Sequence, residues 1–409
     1  MGYKSRVIKG VSWLSILRIS TRGITFVRLA ILARILTPAQ FGVFGIASLI
    51  LALLEILTET GINVFLIQKK EKYAEFIDSA WVVSIIRGCL ISLLLIVTAP
   101  YVVNFFNSPH SYNVILLISI VPLVRGFVNP SIINIQKEIQ FKKEFYIRST
   151  LFLIDALVVI FAAFITKSAE SFAYGLIVSA TIEVILSFIF FKPWPRISFE
   201  PEKIKHIVRK GWWITLTGIF SYFADNSDNI IVGRVLGTSS LGFYQVAYKI
   251  STITISEITE VVNKVTFPVY SKIADEKERL FQAFAKIMTI SSLVALISGI
   301  LIFYFSREIV LLILGENWVL IVPIVRILSI YGILRTMFGN FSSLFLSLER
   351  QDYVAKMTFV RVFTLFIFLF PLVGAYGLSG AGYAMLISII AEIPIVFLFT
   401  YMIYSKRHS

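Results

Sequence analysis

Apolar residues run through this chain in blocks of about twenty, joined by short polar stretches. A helix rises about 1.5 Å per residue, so ~20 apolar residues carry it across the ~30 Å hydrocarbon core of a bilayer. Windows of that kind fall near 11–35, 41–66, 79–105, 113–135, 147–166 and 171–191. They recur near 211–236, 240–268, 284–305, 319–347, 355–375 and 378–404. The pattern predicts an all-α polytopic membrane protein of twelve spans. The stretch "REIVLLILGENW" (307–318) is too short to span and is expected at the interface.

The joints alternate in charge. One set holds Lys4, Arg6 and Lys9, then Lys69, Lys70 and Lys72, then Lys137, Lys142 and Lys143, with later members ending at Lys406 and Arg407. The other set holds little beyond Arg34, Lys167, Arg234 and Arg307. Cytoplasmic loops carry the excess of Lys and Arg, so both termini are expected in the cytoplasm, which an even number of spans requires. The longest joint, 193–210, is a cytoplasmic linker at mid-chain. It divides an N-terminal six-helix bundle, 1–192, from a C-terminal one, 211–409.

Those halves are related. "ARILTPAQFGVFGIA" (33–47) aligns with "GRVLGTSSLGFYQVA" (233–247) without a gap, pairing Arg34 with Arg234, Leu36 with Leu236, Gly42 with Gly242 and Ala47 with Ala247. "KGVSW" (9–13) has a counterpart in "KGWW" (210–213), and Thr58-Glu59 recurs as Thr259-Glu260. Six spans per half keep the two copies in the same orientation. Parallel repeats of this kind are one transporter architecture, with the substrate site between them.

Composition agrees: 57% of residues are hydrophobic, mean hydropathy is +0.84, and 15% are charged against about 25% in soluble domains. The net charge of +14 sits in the joints, which points to membrane orientation and not to nucleic-acid binding. Cys89 is alone, so no internal disulfide can form, and His110, His206 and His408 are scattered without metal-ligand spacing. The opening "MGYKSRVIKGVSWLSILRISTRG" lacks a cleavable-signal pattern, because Arg18 and Arg22 interrupt its apolar region, so the first span is expected to stay in the protein.

Charges inside the spans are the candidate chemistry. A charge at the bilayer centre costs from about 2.5 kcal/mol upward and so faces the bundle interior or a watery cavity. The first half places Arg18, Arg22 and Arg28 in span one, Arg87 in span three and Arg125 in span four, against Glu55, Asp155 and Glu183. The second half has Asp225, Asp228, Lys249, Glu257, Arg326, Arg335, Arg361 and Glu392. Arg18 and Arg22 share a helix face, and a guanidinium matches phosphate oxygens while staying charged. Asp225, Asp228 and Asn229 are spaced i, i+3, i+4 on one face, a cluster suited to binding a proton or cation. Arg34 and Arg234 are expected to be structural, Asp78, Arg148 and Lys264 interfacial. Glu183, Arg335, Arg361 and Glu392 fit equally as interhelical ion pairs or as functional groups.

"ARILTPAQFGVFGIASLILALLEILTETGINVFLIQKKE", "ADNSDNIIVGRVLGTSSLGFYQVAYKI" and the break at "FKPWPRISF" resemble polysaccharide flippases of the Wzx type. They are similar in particular to WzxC-like lipopolysaccharide and exopolysaccharide exporters of the multidrug/oligosaccharidyl-lipid/polysaccharide (MOP) superfamily, over nearly the whole chain. The resemblance implies two six-helix bundles in a MATE-like V, working by alternating access. It implies a flippase for undecaprenyl-pyrophosphate-linked oligosaccharide in a bacterial or archaeal cytoplasmic membrane, with polysaccharide polymerase or export proteins as partners. A cationic cavity would use Arg18, Arg22, Arg28, Arg87 and Arg125 for the substrate. Coupling to H+ or Na+ would use Asp225, Asp228 and Asn229, with no other cofactor. Many members have fourteen spans, and this chain offers windows for twelve. The competing readings are a MATE-type cation-coupled multidrug antiporter, which needs an acidic cavity, and a membrane enzyme of polysaccharide assembly. An enzyme is not expected, because no catalytic constellation or large outer loop is present in the sequence.

Overall fold

The structure is a computed structural model that describes residues 3–59, 73–137 and 140–405. Lys69, Lys70, Lys72, Lys406 and Arg407, and the end of the second predicted span, lie outside the described residues. Helices satisfy every backbone donor and acceptor within the segment, which a hydrocarbon environment demands. The first six are α1 (Tyr3–Ile35), α2 (Pro38–Leu57), α3 (Ile77–Phe106), α4 (Ser111–Gly126), α5 (Phe141–Thr166) and α6 (Glu170–Phe190). The helix Pro201–Lys272 breaks at Gly237 into α7 (201–236) and α8 (238–272). Then come α9 (Lys277–Tyr304), α10 (Val322–Ser347) and the helix Gln351–Ser405, broken at Gly377 into α11 (351–376) and α12 (378–405). Each predicted window has its helix. By length and composition alone, seven of the described helices are apolar enough to cross a membrane. That count takes α11 and α12 together and leaves out the 16-residue α4, as well as α1, α7 and α8.

The fourth window ran to 135, but α4 stops at Gly126. Pro130 has no N–H and disfavours helical geometry in the residue before it. Asn129 is accordingly extended and accepts a hydrogen bond from the Ser131 amide at 2.9 Å, opening a short 3-10 turn, Pro130–Ile133. Its side-chain amide donates to the carbonyls of Phe191 (3.1 Å) and Pro193 (3.3 Å), pinning this turn to the chain leaving α6. Apolar content hid the turn. The 307–318 stretch forms two short pieces, Ser306–Ile313 and Glu316–Ile321, about a left-handed Gly315, and buries Trp318 edge-on against Phe243.

The chain packs as two compact units, 1–226 and 227–409. In the first, α5 packs on α1 and α6, α4 on α3 and α6, and α2 against α3 and α4. The start of α7 belongs here too: the Tyr222 hydroxyl donates to the Leu49 carbonyl at 2.8 Å, and Thr215 Oγ1 to the Glu59 carbonyl at 2.7 Å. In the second unit α10 packs on α9 and on the α11–α12 pair, over a core of Tyr270, Phe284, Phe341, Phe345 and Phe399.

The repeat is visible in burial. Gly42 and Gly242 are buried, Ala47 and Ala247 are fully buried, and Arg34 and Arg234 are exposed. The turn between the first two helices of each copy is closed differently. In the first, Pro38 starts α2 and the Thr37 amide donates to Gln40 Oε1 at 2.8 Å. In the second, the residue at the same offset is Gly237, at φ 81° and ψ −179°, a region that only glycine occupies readily.

Small residues set the distance between α3 and α4, as is usual where helices lack a hydrophobic drive to associate. A Cβ on Gly88 would lie 2.4 Å from the Pro122 carbonyl oxygen, whereas one on Gly23 would meet nothing within 4 Å. Gly88→Ala is therefore expected to destabilise the protein by about 1–3 kcal/mol. Gly23→Ala should leave stability unchanged or slightly raised. Melting temperatures in detergent would test this, and equal behaviour of the two variants would refute the close-approach account.

Candidate functional site

Because α3 and α4 approach so closely, Arg87 and Arg125, one on each helix, are brought to one cleft. A cavity of about 380 Å³ between α2, α3 and α4 is lined by Glu55, Glu59, Ser84, Arg87 and Arg125. A second, of about 410 Å³, shares Ser84 and Arg125 and adds Glu144, Arg148 and Glu183 from α5 and α6. Arg87 Nη2 donates to the Glu55 carbonyl at 2.7 Å and to Glu59 Oε2 at 3.1 Å, and its Nε to Thr58 Oγ1 at 3.3 Å. Those acceptors sit at the end of α2, where the last carbonyls lack helical partners. Arg125 Nε lies 3.5 Å from Glu183 Oε2, and its side chain is 43% exposed. Arg148 bonds Glu144 at 2.9 Å one turn away. Ion pairs this open to the cavity can exchange partners: each guanidinium can turn to another bidentate anion, with its carboxylate released to water.

The other predicted arginines lie elsewhere. Arg28 is bonded directly to Asp155 of α5, so a guanidinium and a carboxylate join α1 to the neighbouring helix where both are poorly exposed. Arg18 is half-buried and Arg22 exposed on α1, and neither is without an interaction partner. The five arginines therefore do not form a single cluster: Arg87 and Arg125 share a cavity, and Arg28 is held by a tight ion pair.

The three predicted coupling residues also separate. Asp225 is exposed. Asp228 is buried, and accepts from the Tyr244 hydroxyl of α8 at 2.7 Å, from the Asn229 amide at 2.8 Å and from Asn229 Nδ2 at 3.0 Å. These three donors satisfy a carboxylate that is shut off from solvent. Elsewhere in this unit Arg361 of α11 faces Glu392 of α12 at 3.6 Å, and Arg335 Nη1 of α10 donates to the Tyr331 hydroxyl at 2.7 Å. No group of three His, Cys, Asp or Glu side chains among the described residues could hold a metal ion.

Sequence reasoning missed Glu59, Tyr244 and Glu144 as partners. Glu59 carried a signal, since Thr58-Glu59 belongs to the repeat. Tyr244 sits in the repeated segment opposite Phe44, so its hydroxyl is what the second copy adds.

Residues 31–323 match the family described as polysaccharide biosynthesis protein. The chain is 25% identical over 384 residues to the lipopolysaccharide biosynthesis protein WzxC of Escherichia coli (strain K12), covering 93% of this chain and 77% of that protein. Among solved structures it is similar to the lipid II flippase MurJ in an inward closed conformation, with TM-score 0.76 and 14% identity over 95% of this chain and 87% of that one. It is also similar to an inward-facing multidrug resistance MATE family transporter of the MOP superfamily, with TM-score 0.71 and 15% identity over 98% and 99%. Both likenesses show the fold, which is the MOP-like polytopic fold. The chain is a multi-pass membrane protein.

The Arg28–Asp155 pair gives a test of structural against binding roles. Removing one partner of a buried pair leaves an uncompensated charge, and Arg28→Ala should cost about 3–5 kcal/mol. Arg28→Ala with Asp155→Ala should recover much of that loss. Thermal unfolding of the two single variants and the double variant checks it, and additive losses would refute the coupling.

Proposed function

This chain belongs to the polysaccharide biosynthesis protein family, and on that premise we propose that it is a flippase for an oligosaccharide carried on a polyprenyl diphosphate. It is a transporter in this reading and not an enzyme. It moves the lipid-linked glycan from the cytoplasmic to the outer leaflet of the cytoplasmic membrane, with both termini inside. The observation that carries the reading is the pair Arg87 and Arg125, set on adjacent helices against cavities that share Arg125. A diphosphate offers each guanidinium the bidentate oxygens that its carboxylate partner now supplies. Glu59 and Glu183 thus hold the arginines oriented until substrate displaces them. The glycan occupies the watery cavity while the polyprenyl tail stays in lipid. A proton or sodium gradient drives the cycle. Polysaccharide polymerase and export proteins receive the product.

One observation favours the alternative. The two cavities are lined by four carboxylates (Glu55, Glu59, Glu144 and Glu183) and three arginines (Arg87, Arg125 and Arg148), and an acidic excess suits a cationic substrate of the MATE type.

Vesicles containing the purified protein and a diphosphate-linked oligosaccharide lipid separate the two. Wild type is expected to flip the lipid, Arg125→Ala to flip it roughly 10–100-fold more slowly, as fits the loss of a charged hydrogen bond. Glu183→Gln should bind it at least as tightly. Wild-type vesicles that flip no such lipid but expel cationic dyes would overturn the flippase in favour of the antiporter. Flipping unchanged in Arg87→Ala and Arg125→Ala would keep the function and remove the site.

A further inference from the structure

Among the described residues the second unit has two buried carboxylates, with opposite surroundings. Asp228 takes three hydrogen bonds and is closed off. Glu392, midway along α12, is 5% exposed, and its Oε2 receives no hydrogen bond among the described residues. The nearest cation to that oxygen, Arg361 Nη1 on α11, stands at 3.6 Å, beyond hydrogen-bond reach. The groups that act electrostatically on Glu392 are Arg361 and, from α10, Arg335, which is already committed to the Tyr331 hydroxyl. From the other helices that share the core with α12, α8 contributes the Tyr270 phenol and α9 the rings and chains of Phe284 and Leu280, while Lys286 of α9 is exposed. An ionised carboxylate in such a place has counter-charge at a distance and no donor on its inner oxygen. A neutral carboxyl needs neither. Asp155 of the first unit also has one oxygen without a donor, but its other oxygen is bonded directly to Arg28.

We propose that Glu392 is the proton-binding site of this transporter, the Glu392–Arg361 contact being the ion pair that the proton opens. The step balances simply. A proton from hydronium in the aqueous phase adds to Glu392 Oε2 and leaves water behind, the carboxylate becomes a carboxyl, and Arg361 loses its counter-ion. α11 and α12 are joined through Gly377, at φ 58°, so the contact that protonation releases is one between two helices meeting at a glycine break. In the charged state the pair attracts these helices across that gap; in the neutral state the attraction is gone. Asp228 already receives the donors, from Tyr244 and Asn229, that Glu392 Oε2 lacks. A ligand shifts a conformational equilibrium only through its differential affinity for the two states, and a proton at Glu392 has that property if the states differ in the Arg361 distance.

As a coupling site this rests on the flippase reading; as a protonation site it does not, and the test separates them. Infrared difference spectra of the purified protein in lipid nanodiscs, taken between neutral and acidic pH, report carboxylic-acid C=O stretches. A band present in wild type and in Asp228→Asn, absent in Glu392→Gln and regained in Glu392→Asp is the expected result. In vesicles, the rate of diphosphate-lipid flipping should change about fivefold or more with a step in pH, within the usual range of coupling between sites. Glu392→Gln should flatten that response and Glu392→Asp restore it. A band that persists in Glu392→Gln, or a pH response equal to wild type in that variant, overturns the proposal. A Glu392-dependent band in a protein that flips no lipid supports the proton site while removing the flippase.

Discussion

A charge in a medium without water must find its counter-charge in the protein, and this requirement orders most of what is distinctive here. The first unit places a guanidinium beside a carboxylate at Arg28–Asp155, Arg87–Glu59 and Arg125–Glu183, and the second does so at Arg361–Glu392. The pairs are graded. Arg28 and Asp155 are in direct contact and poorly exposed, while Arg125 stands 3.5 Å from Glu183 with much of its side chain open to a cavity. The tight contact holds helices together. The loose ones leave a guanidinium able to change partner, which a structure needs if a charged cargo is to arrive and leave.

Packing decides where those pairs fall. Arg87 and Arg125 reach a common cavity only because Gly88 lets the α4 backbone come against α3. The next residue along each helix, Gly88 and Gly126, makes the close approach, so cation and contact are neighbours in sequence. A wider spacing would separate the two guanidiniums and remove the shared lining.

The twelve helices were legible because apolar length is a property of the sequence alone, and a bilayer converts it directly into span count. The breaks at Gly237 and Gly377 fell between predicted windows for the same reason. The end of α4 was not legible: "GFVNPSIINI" carries no charge and is largely apolar, and only Pro130 and the cap of Asn129 mark the turn. The site was half legible. That arginines inside spans would be consequential followed from their cost, but which acid meets which arginine depends on helix rotation and crossing, which no periodicity fixes. Asp225 and Asp228 shared a predicted face, yet one is exposed and the other buried, since one helical face can meet solvent at one turn and a neighbour at the next. Glu59 was read only as part of the repeat, inside a window drawn to 66, and its place just past the end of α2 facing Arg87 came only with the structure.

The corresponding turns of the two copies hold a different kind of information. Thr37, Pro38 and Gln40 close the first with side-chain chemistry, whereas Gly237 closes the second with a backbone geometry that other residues resist. Each solution is complete in itself, one resting on side chains and the other on a glycine backbone. The ancestry of the halves is therefore preserved at their buried small residues, Gly42 with Gly242 and Ala47 with Ala247, and erased at their corners. Buried positions, where a change in volume is felt at once, have kept the likeness, while the corners have settled on two different closures.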